Sequence, residues 1–380
     1  MRKQNGTIMH ILVAFLLVLA MLPFYTWHLS SHLRMFITIA PSVFFITNID
    51  KKQILSFVIL FTILLFNNLA HGYNIVYGGY LLLFSCFAFP KYDFSKEVYN
   101  YFRKILAIVF LISLCQWLLY LCGISFFSFY LNPLNELKQH DYIAIPPCLV
   151  VPNFILDSFR FYSCFDEPGV VGTIAGLILY IEGYKIRDPY NLIIFLAGLC
   201  AFSFFFIGAT LIYISLKYLR RKPIYLFLIL GACYVFYQCT KENEVLDTLV
   251  YSRLEWDSSS QSFVGDSRAT DELKSYYDRI KTTSTIYFGV NENELSVFSG
   301  SYGYRNVVLR FGIIFCILYL VFYIVYAKIH ITKTSDFIIF SVLLLIVFYQ
   351  RPNLYDAVYI FLLTQFIRNH SADYYLLSKY

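Results

Sequence analysis

Tyr190 to Leu219 reads YNLIIFLAGLCAFSFFFIGATLIYISLKYL. As one helix this stretch would be about 45 Å long at about 1.5 Å per residue. That is too long for one upright crossing of a hydrocarbon core about 30 Å thick and too short for two full ones. Charge decides the reading. A single crossing would separate Lys217, Arg220, Arg221 and Lys222 from Lys185 and Arg187, against the tendency of Lys and Arg to stay on one side of a membrane. A hairpin of two short arms, turning near Ile207-Gly208-Ala209-Thr210, keeps both clusters on the same side.

Working outward, similar apolar stretches fill the chain. Of its 380 residues 59% are hydrophobic and 14% charged, and the mean hydropathy is +0.62. A water-facing surface needs about 25% charged residues, so a soluble globular protein is excluded. Stretches long enough to cross a bilayer read as 8–27, 34–49, 53–69, 74–90, 104–123, 168–184, 190–219, 223–239, 305–327, 336–350 and 353–368. The first follows Met-Arg-Lys without a small-residue cleavage site and is read as retained. With 190–219 as a hairpin, the expected fold is an all-α polytopic integral membrane protein of about twelve transmembrane helices, with both termini inside. One polytopic domain, 1–380, carries two large outer loops, 124–167 and 240–304. The net charge of +6 then divides into about +11 inside and about −5 outside, so the basic balance signals orientation and not a nucleic-acid partner.

The spans themselves carry little charge. Glu182 stands within a turn of the inner end, where it reaches headgroups, and a gated ion path, which needs ionisable groups in mid-membrane, is disfavoured. No CxxC, HExxH or GxSxG pattern occurs, and no metal or cofactor is expected. Cys148 and Cys164 share the first outer loop and could bridge in an oxidising compartment.

Two groups of residues in the outer loops suit chemistry. The first loop closes on Arg160-Phe161-Tyr162-Ser163-Cys164-Phe165-Asp166-Glu167-Pro168-Gly169-Val170-Val171-Gly172. Pro168 suits the first turn of a helix, and Asp166 or Glu167 can cap it. The same helix N-terminus, with Gly169 and Gly172 allowing close approach, can seat an anion, and Arg160 offers a bidentate donor for phosphate. In the second loop, Leu273, Tyr276, Tyr277 and Ile280 recur at helical spacing within 269–281, an amphipathic helix with Arg279 and Lys281 as solvated charges. Arg253 and Arg268, each beside small polar residues, are anion-site candidates. Trp256, Tyr287 and Tyr302 are read as interface packing or as stacking surfaces for sugar rings.

This architecture, together with R-x(6)-E-P-G-x-x-G over Arg160 to Gly172, resembles the O-antigen and capsule repeat-unit polymerases of the Wzy type, relatives of the O-antigen ligases. A second point of likeness is Arg268, the helix and Phe288-Gly289-Val290, although the second Gly of the family's turn is replaced here by Asn291. The resemblance implies a metal-independent glycosyltransferase of the bacterial inner membrane acting at the periplasmic face. Its substrates would be undecaprenyl-pyrophosphate-linked glycans, and a chain-length regulator protein would be a further partner. It gives Arg160, Arg253, Arg268 and Arg305 the role of an anion clamp, Tyr302 a place in substrate binding, and Glu167 that of orienting or deprotonating the acceptor hydroxyl. The ligases carry a His before the span that follows this loop, where this chain has Ser301, Tyr302 and Tyr304, which favours polymerase over ligase. A flippase or exporter of lipid-linked sugars would line its spans with charge. A membrane O-acyltransferase, needing a His near a span, stays open through His28, His32 and His71.

Overall fold

A computed structural model describes residues 2–22, 26, 29–71, 89–131, 142–152, 159–219, 231, 234–235, 237–244, 247, 251–252, 255–257, 262–263, 270–290, 295, 303–350 and 357–371. Residues 74–88 of the expected span 74–90 and most of 223–239 lie outside these residues. The fold is mostly helical. In chain order the helices are α1 (Arg2–Ala20), α2 (Ser31–Thr47), α3 (Ile54–His71), α4 (Tyr92–Leu121), α5 (Pro168–Ile181), α6 (Pro189–Cys200) and α7 (Phe204–Ile214). They continue with α8 (Asp271–Ile280), α9 (Thr285–Phe288), α10 (Tyr304–His330), α11 (Thr334–Gln350) and α12 (Ala357–Asn369). By length and composition α4 and α10 are long and apolar enough to cross a membrane, and α5, α6, α7 and α11 are shorter apolar helices.

Strands correct the all-α expectation. β1 (Phe129–Leu131), β2 (Tyr142–Ile145) and β3 (Leu149–Pro152) form an antiparallel sheet in the first large loop. The run Tyr142-Ile143-Ala144-Ile145 is rich in β-formers and its Pro146-Pro147 turn cannot continue a helix. A two-residue ladder, β4 (Trp256–Asp257) with β5 (Ser262–Phe263), lies in the second loop.

The centre is built from α5 and α12. Every residue of α5 except Val170 is buried, and so is every residue of α12 from Ala357 to Arg368. A helix apolar on all sides, as α5 is, packs where neighbours cover all sides, and α12 there buries Thr364, Gln365 and Arg368 as well. Around α5 and α12 the helices α1, α2, α3, α4, α10 and α11 turn large apolar side chains outward, among them Ile8, Phe36, Leu55, Ile108, Leu118, Ile317, Val321 and Leu345.

The hairpin expected from 190–219 forms, but its turn is Ala201-Phe202-Ser203 and not 207–210. Phe202 takes a left-handed φ of 46° and Ser203 starts α7 in extended conformation. Gly208, in the expected turn, is inside α7 with open space at its Cβ position. Asp188 caps α6, accepting from the N–H groups of Tyr190 (2.9 Å) and Asn191 (3.3 Å). Both arms run along α5. Gly172 takes Ser203 against its backbone, where a Cβ would stand 2.2 Å from the Ser203 Cβ, and Gly176 and Gly198 likewise take Phe205 and Phe206. At the far end Lys217 Nζ donates to the Gly183 carbonyl at 3.1 Å.

That far end gathers the helix ends expected on one side. Asn48 and Asp50 pair with Phe89 and Lys91 through Lys91 N–H to Asn48 O (2.6 Å) and Asp50 N–H to Phe89 O (2.9 Å). Tyr326 Oη donates to Gln53 Oε1 at 3.2 Å, and Ile331 bridges to Ser371. Glu182 does not reach outward as expected. Arg103 Nη1 lies 3.0 Å from Glu182 Oε2, 3.3 Å from Asp188 Oδ2 and 2.8 Å from Asn191 Oδ1, so one guanidinium of α4 ties the α5–α6 turn. The opposite end carries the three-stranded sheet, α8 and α9.

Candidate functional site

Arg160 and Glu167 belong to one segment, fastened on three sides. Phe161 donates its N–H to the Cys200 carbonyl at the hairpin tip, 3.0 Å away. Its ring packs on Trp117 (5.8 Å) and Phe110 (6.2 Å), and Phe165 also meets Phe110 (6.3 Å). Ser163, held at φ 53°, places its Oγ 2.9 Å from Ser113 Oγ of α4 and accepts the Val150 N–H of β3 at 2.7 Å. Tyr142 Oη of β2 donates to the Asp166 carbonyl at 3.0 Å. Residues 161–165 are all buried.

This seating sets the depth of the segment. Ser113 is about 12 Å short of the Leu121 end of α4, at about 1.5 Å per residue. Over the same turns α4 exposes Ile108, Leu111, Ile112, Leu118, Leu119 and Leu121. The 161–165 segment therefore packs on the buried face of α4, turned away from these exposed residues, and short of the Leu121 end of the long helix.

Pro168 opens α5 at its first turn as expected, with Glu167 in the N-cap position at φ −147°, ψ 135°, but the Glu167 carboxylate makes no cap hydrogen bond. For Glu167 the capping expectation is thus corrected, and the Glu167 carbonyl accepts the Val170 N–H at 3.1 Å. The expectation that Gly172 leaves room for a ligand is also corrected, since Ser203 occupies that space. Arg160 is half-buried with its Nε enclosed.

The second loop makes its own attachment. α8 runs Asp271–Ile280, capped by Thr270 Oγ1 accepting from Leu273 N–H at 3.3 Å, with Leu273 fully buried. Tyr277 packs edge-on against Tyr304 (6.2 Å), which stacks on Tyr349 of α11 (5.3 Å). Arg279 lies over the Tyr276 ring and Lys281 pairs with Asp278 at 2.5 Å, as solvated charges do. The Phe288-Gly289-Val290 turn docks on α10, with Val290 N–H donating to the Leu309 carbonyl at 2.7 Å. There α10 breaks, Gly312 adopting φ 79°, ψ 157°. Tyr287 and Phe288 remain half exposed.

Arg305, in the first turn of α10, places its guanidinium over the Tyr304 ring at 5.1 Å. Arg253, Arg268 and Tyr302 lie outside the described residues, as does the Trp256 side chain. Arg160 and Glu167 thus flank the segment seated against α4, and Arg305 stands with the docked second loop. Sequence reasoning missed Arg310, inside the apolar 305–327 stretch with its Nε buried. A cation within an apolar run was a visible signal, since such residues mark function by default. It also missed Arg103, whose partners are brought near only by folding. Among the described residues no group of three His, Cys, Asp or Glu gathers as metal ligands. No protein-family model, curated protein or solved structure matches this chain.

Proposed function

We propose that this chain is a bacterial inner-membrane glycosyltransferase that polymerises undecaprenyl-pyrophosphate-linked repeat units into O-antigen or capsular polysaccharide at the periplasmic face. The outward Ile, Leu, Val and Phe of α1, α3, α4, α10 and α11 support a lipid solvent, because contiguous apolar surface of this kind is unstable in water. The Lys and Arg clusters at the Glu182 end support that end, and both termini, as cytoplasmic.

The observation that carries the reading is the seat of the segment from Arg160 to Glu167, fixed through Phe161 and Ser163 on the buried face of α4 short of its Leu121 end. A diphosphate attached to a polyprenyl chain is confined to the depth of the headgroups, and a cation set below the helix ends meets it there. In the reaction an acceptor hydroxyl attacks the anomeric carbon of the donor glycan. The bond from that carbon to the lipid diphosphate breaks, a glycosidic bond forms, and the hydroxyl proton passes to a base. Arg160, with Arg253, Arg268 and Arg305, neutralises the charge growing on the departing diphosphate, which is strongest in a site screened from water. Glu167, at the N-terminus of α5, accepts a hydrogen bond from the acceptor hydroxyl and orients it.

The test is polysaccharide profiling of cells carrying Arg160→Ala or Arg268→Ala in place of the native chain. Glycans limited to a single repeat unit on the lipid core are expected; long polymer persisting in both variants sinks the assignment. Loss of every repeat unit from the core favours the ligase reading instead.

A further inference from the structure

Cys148 and Cys164, sixteen residues apart in the chain, come together between α4 and the three-stranded sheet. Cys164 Sγ donates to the Cys148 carbonyl at 2.9 Å, which brings one thiol onto the backbone of the other cysteine. The backbones are tied as well, Val150 N–H donating to the Ser163 carbonyl at 2.7 Å. Ser113 of α4 locks both strands of the contact, its Oγ donating to the Cys148 carbonyl at 2.5 Å while meeting Ser163 Oγ at 2.9 Å. Both cysteines are buried thiols in this structure, with Cys164 wholly enclosed.

We propose that Cys148 and Cys164 are a modification site, oxidised to a disulfide that closes the loop carrying Arg160. The inference rests on the reading that residues 124–167 face the oxidising side of the membrane. There a catalyst bearing a reactive disulfide is the oxidant. One cysteine thiolate attacks a sulfur of that disulfide, and the second thiolate displaces the catalyst from the mixed disulfide. One S–S bond forms in the chain, the catalyst's S–S bond is reduced to two thiols, and the two protons lost by the chain end on those thiols. Burial raises the Cys164 thiol well above its usual range, and a thiolate is the reacting form, so the exchange belongs to the stage before the 161–165 segment seats against α4. Once made, the bridge encloses β3 and Arg160 in a short covalent ring beginning four residues before Pro168. It holds the guanidinium in fixed relation to Glu167, a constraint that the hydrogen bonds of Ser113 and Ser163 alone do not make permanent.

The experiment counts thiols. Full-length protein from cells lysed into an alkylating quench is denatured and labelled with a maleimide-linked polymer before and after reduction. The chain has nine cysteines. Two fewer labels than nine before reduction, and nine after it, are expected, whereas C148S and C164S each show one fewer label than nine in both lanes. All nine labelled without reductant overturns the proposal. The same protein, reduced while unfolded in denaturing detergent and returned to mild detergent in the presence of oxidised glutathione, shows which premise failed. Pairwise loss of the two thiols there means that the compartment reading was wrong, and no loss means that the geometry was.

Discussion

Gly312 of α10 lies directly under the backbone of Phe288, so that a Cβ on Gly312 would stand 2.5 Å from the Phe288 carbonyl carbon and 2.4 Å from the Tyr287 oxygen. The second loop is held in the fold through this contact. It combines a left-handed φ of 79° with an approach that backbone atoms cannot yield. Replacing Gly312 by Ala adds about 1–2 kcal/mol for the left-handed conformation on top of the clash. Gly312→Ala is expected to release α8 and α9, seen as faster limited proteolysis between residues 270 and 300. Gly208→Ala, with open space at its Cβ position, is the control and should match the parent.

Gly172 and Ser203 make a second such contact, and its cause is separable from substrate binding. Gly172→Ala alone should lower folded yield in detergent, because Ser203 Cβ and Oγ stand 2.2 and 2.5 Å from the added Cβ. Adding Ser203→Gly should restore the yield. If the double variant folds yet shows no polymerisation, then Gly172 serves the substrate as well as packing.

Arg103 holds Glu182 and Asp188 together in a half-shielded cluster, its side chain 10% and that of Glu182 17% exposed. Removing the cation leaves two carboxylates side by side, a class of change that costs about 3–5 kcal/mol when buried. Arg103→Met is therefore expected to lower the melting temperature in detergent more than Glu182→Gln does. Equal melting curves for the two variants would show that the cluster is solvated.

Arg160 should act on the chemical step. Loss of one fixed donor aimed at developing negative charge reduces kcat about 10²–10³-fold. Arg160→Ala is expected to show that loss in an assay with lipid-linked repeat units in proteoliposomes. Arg160→Lys should recover only part of it, because a lysine cannot make two parallel contacts to phosphate oxygens. Glu167→Gln, which keeps a hydrogen-bond acceptor but no charge, should flatten the acid limb of the pH profile if the carboxylate takes the proton.

His370, just past the buried run of α12, stacks on Phe366 at 4.4 Å with Nδ1 2.9 Å from its carbonyl. Burial pushes its imidazole below the ordinary 6.5; the Phe366 carbonyl and Asp336 pull it up, and Lys333 and Lys217 push it down. The unfolded chain therefore binds the proton more readily than the folded one, and stability present above pH 6.5 is lost as pH falls toward the lowered folded value. Melting temperatures between pH 7.5 and 5.5 should drop for the parent and change less for His370→Gln.

Much of this fold is legible along the chain because a one-dimensional rule reads it: apolar runs long enough to form helices, with Lys and Arg sorted to one end of them. That rule correctly pairs Lys185 with Lys217 across the 190–219 hairpin, and the amphipathic spacing of Leu273, Tyr276, Tyr277 and Ile280 places α8 nearly to its ends. It fails at the hairpin turn, since Gly208 looks like a turn residue whereas the break is set by Phe202 and by Ser203 fitting against Gly172. The sheet of the first loop was hidden because three- and four-residue strands have too few positions to show a period. Of the candidate site, Arg160, Glu167 and Arg305 stand out as cations and a carboxylate in an otherwise apolar chain. Arg310 stood out equally and was passed over inside a long apolar run.

Composition, hydrophobic run length and charge sorting are properties of residues taken in order, so the helical character, the hairpin and the common end of the Lys and Arg clusters follow from the chain alone. Depth, contact and pairing depend on residues far apart in that order. That the Arg160–Glu167 segment is sunk against Phe110, Ser113 and Trp117, that Arg103 answers Glu182, and that Cys148 meets Cys164 were decided by packing. Those partners become neighbours only once α4, the sheet and the hairpin close around α5.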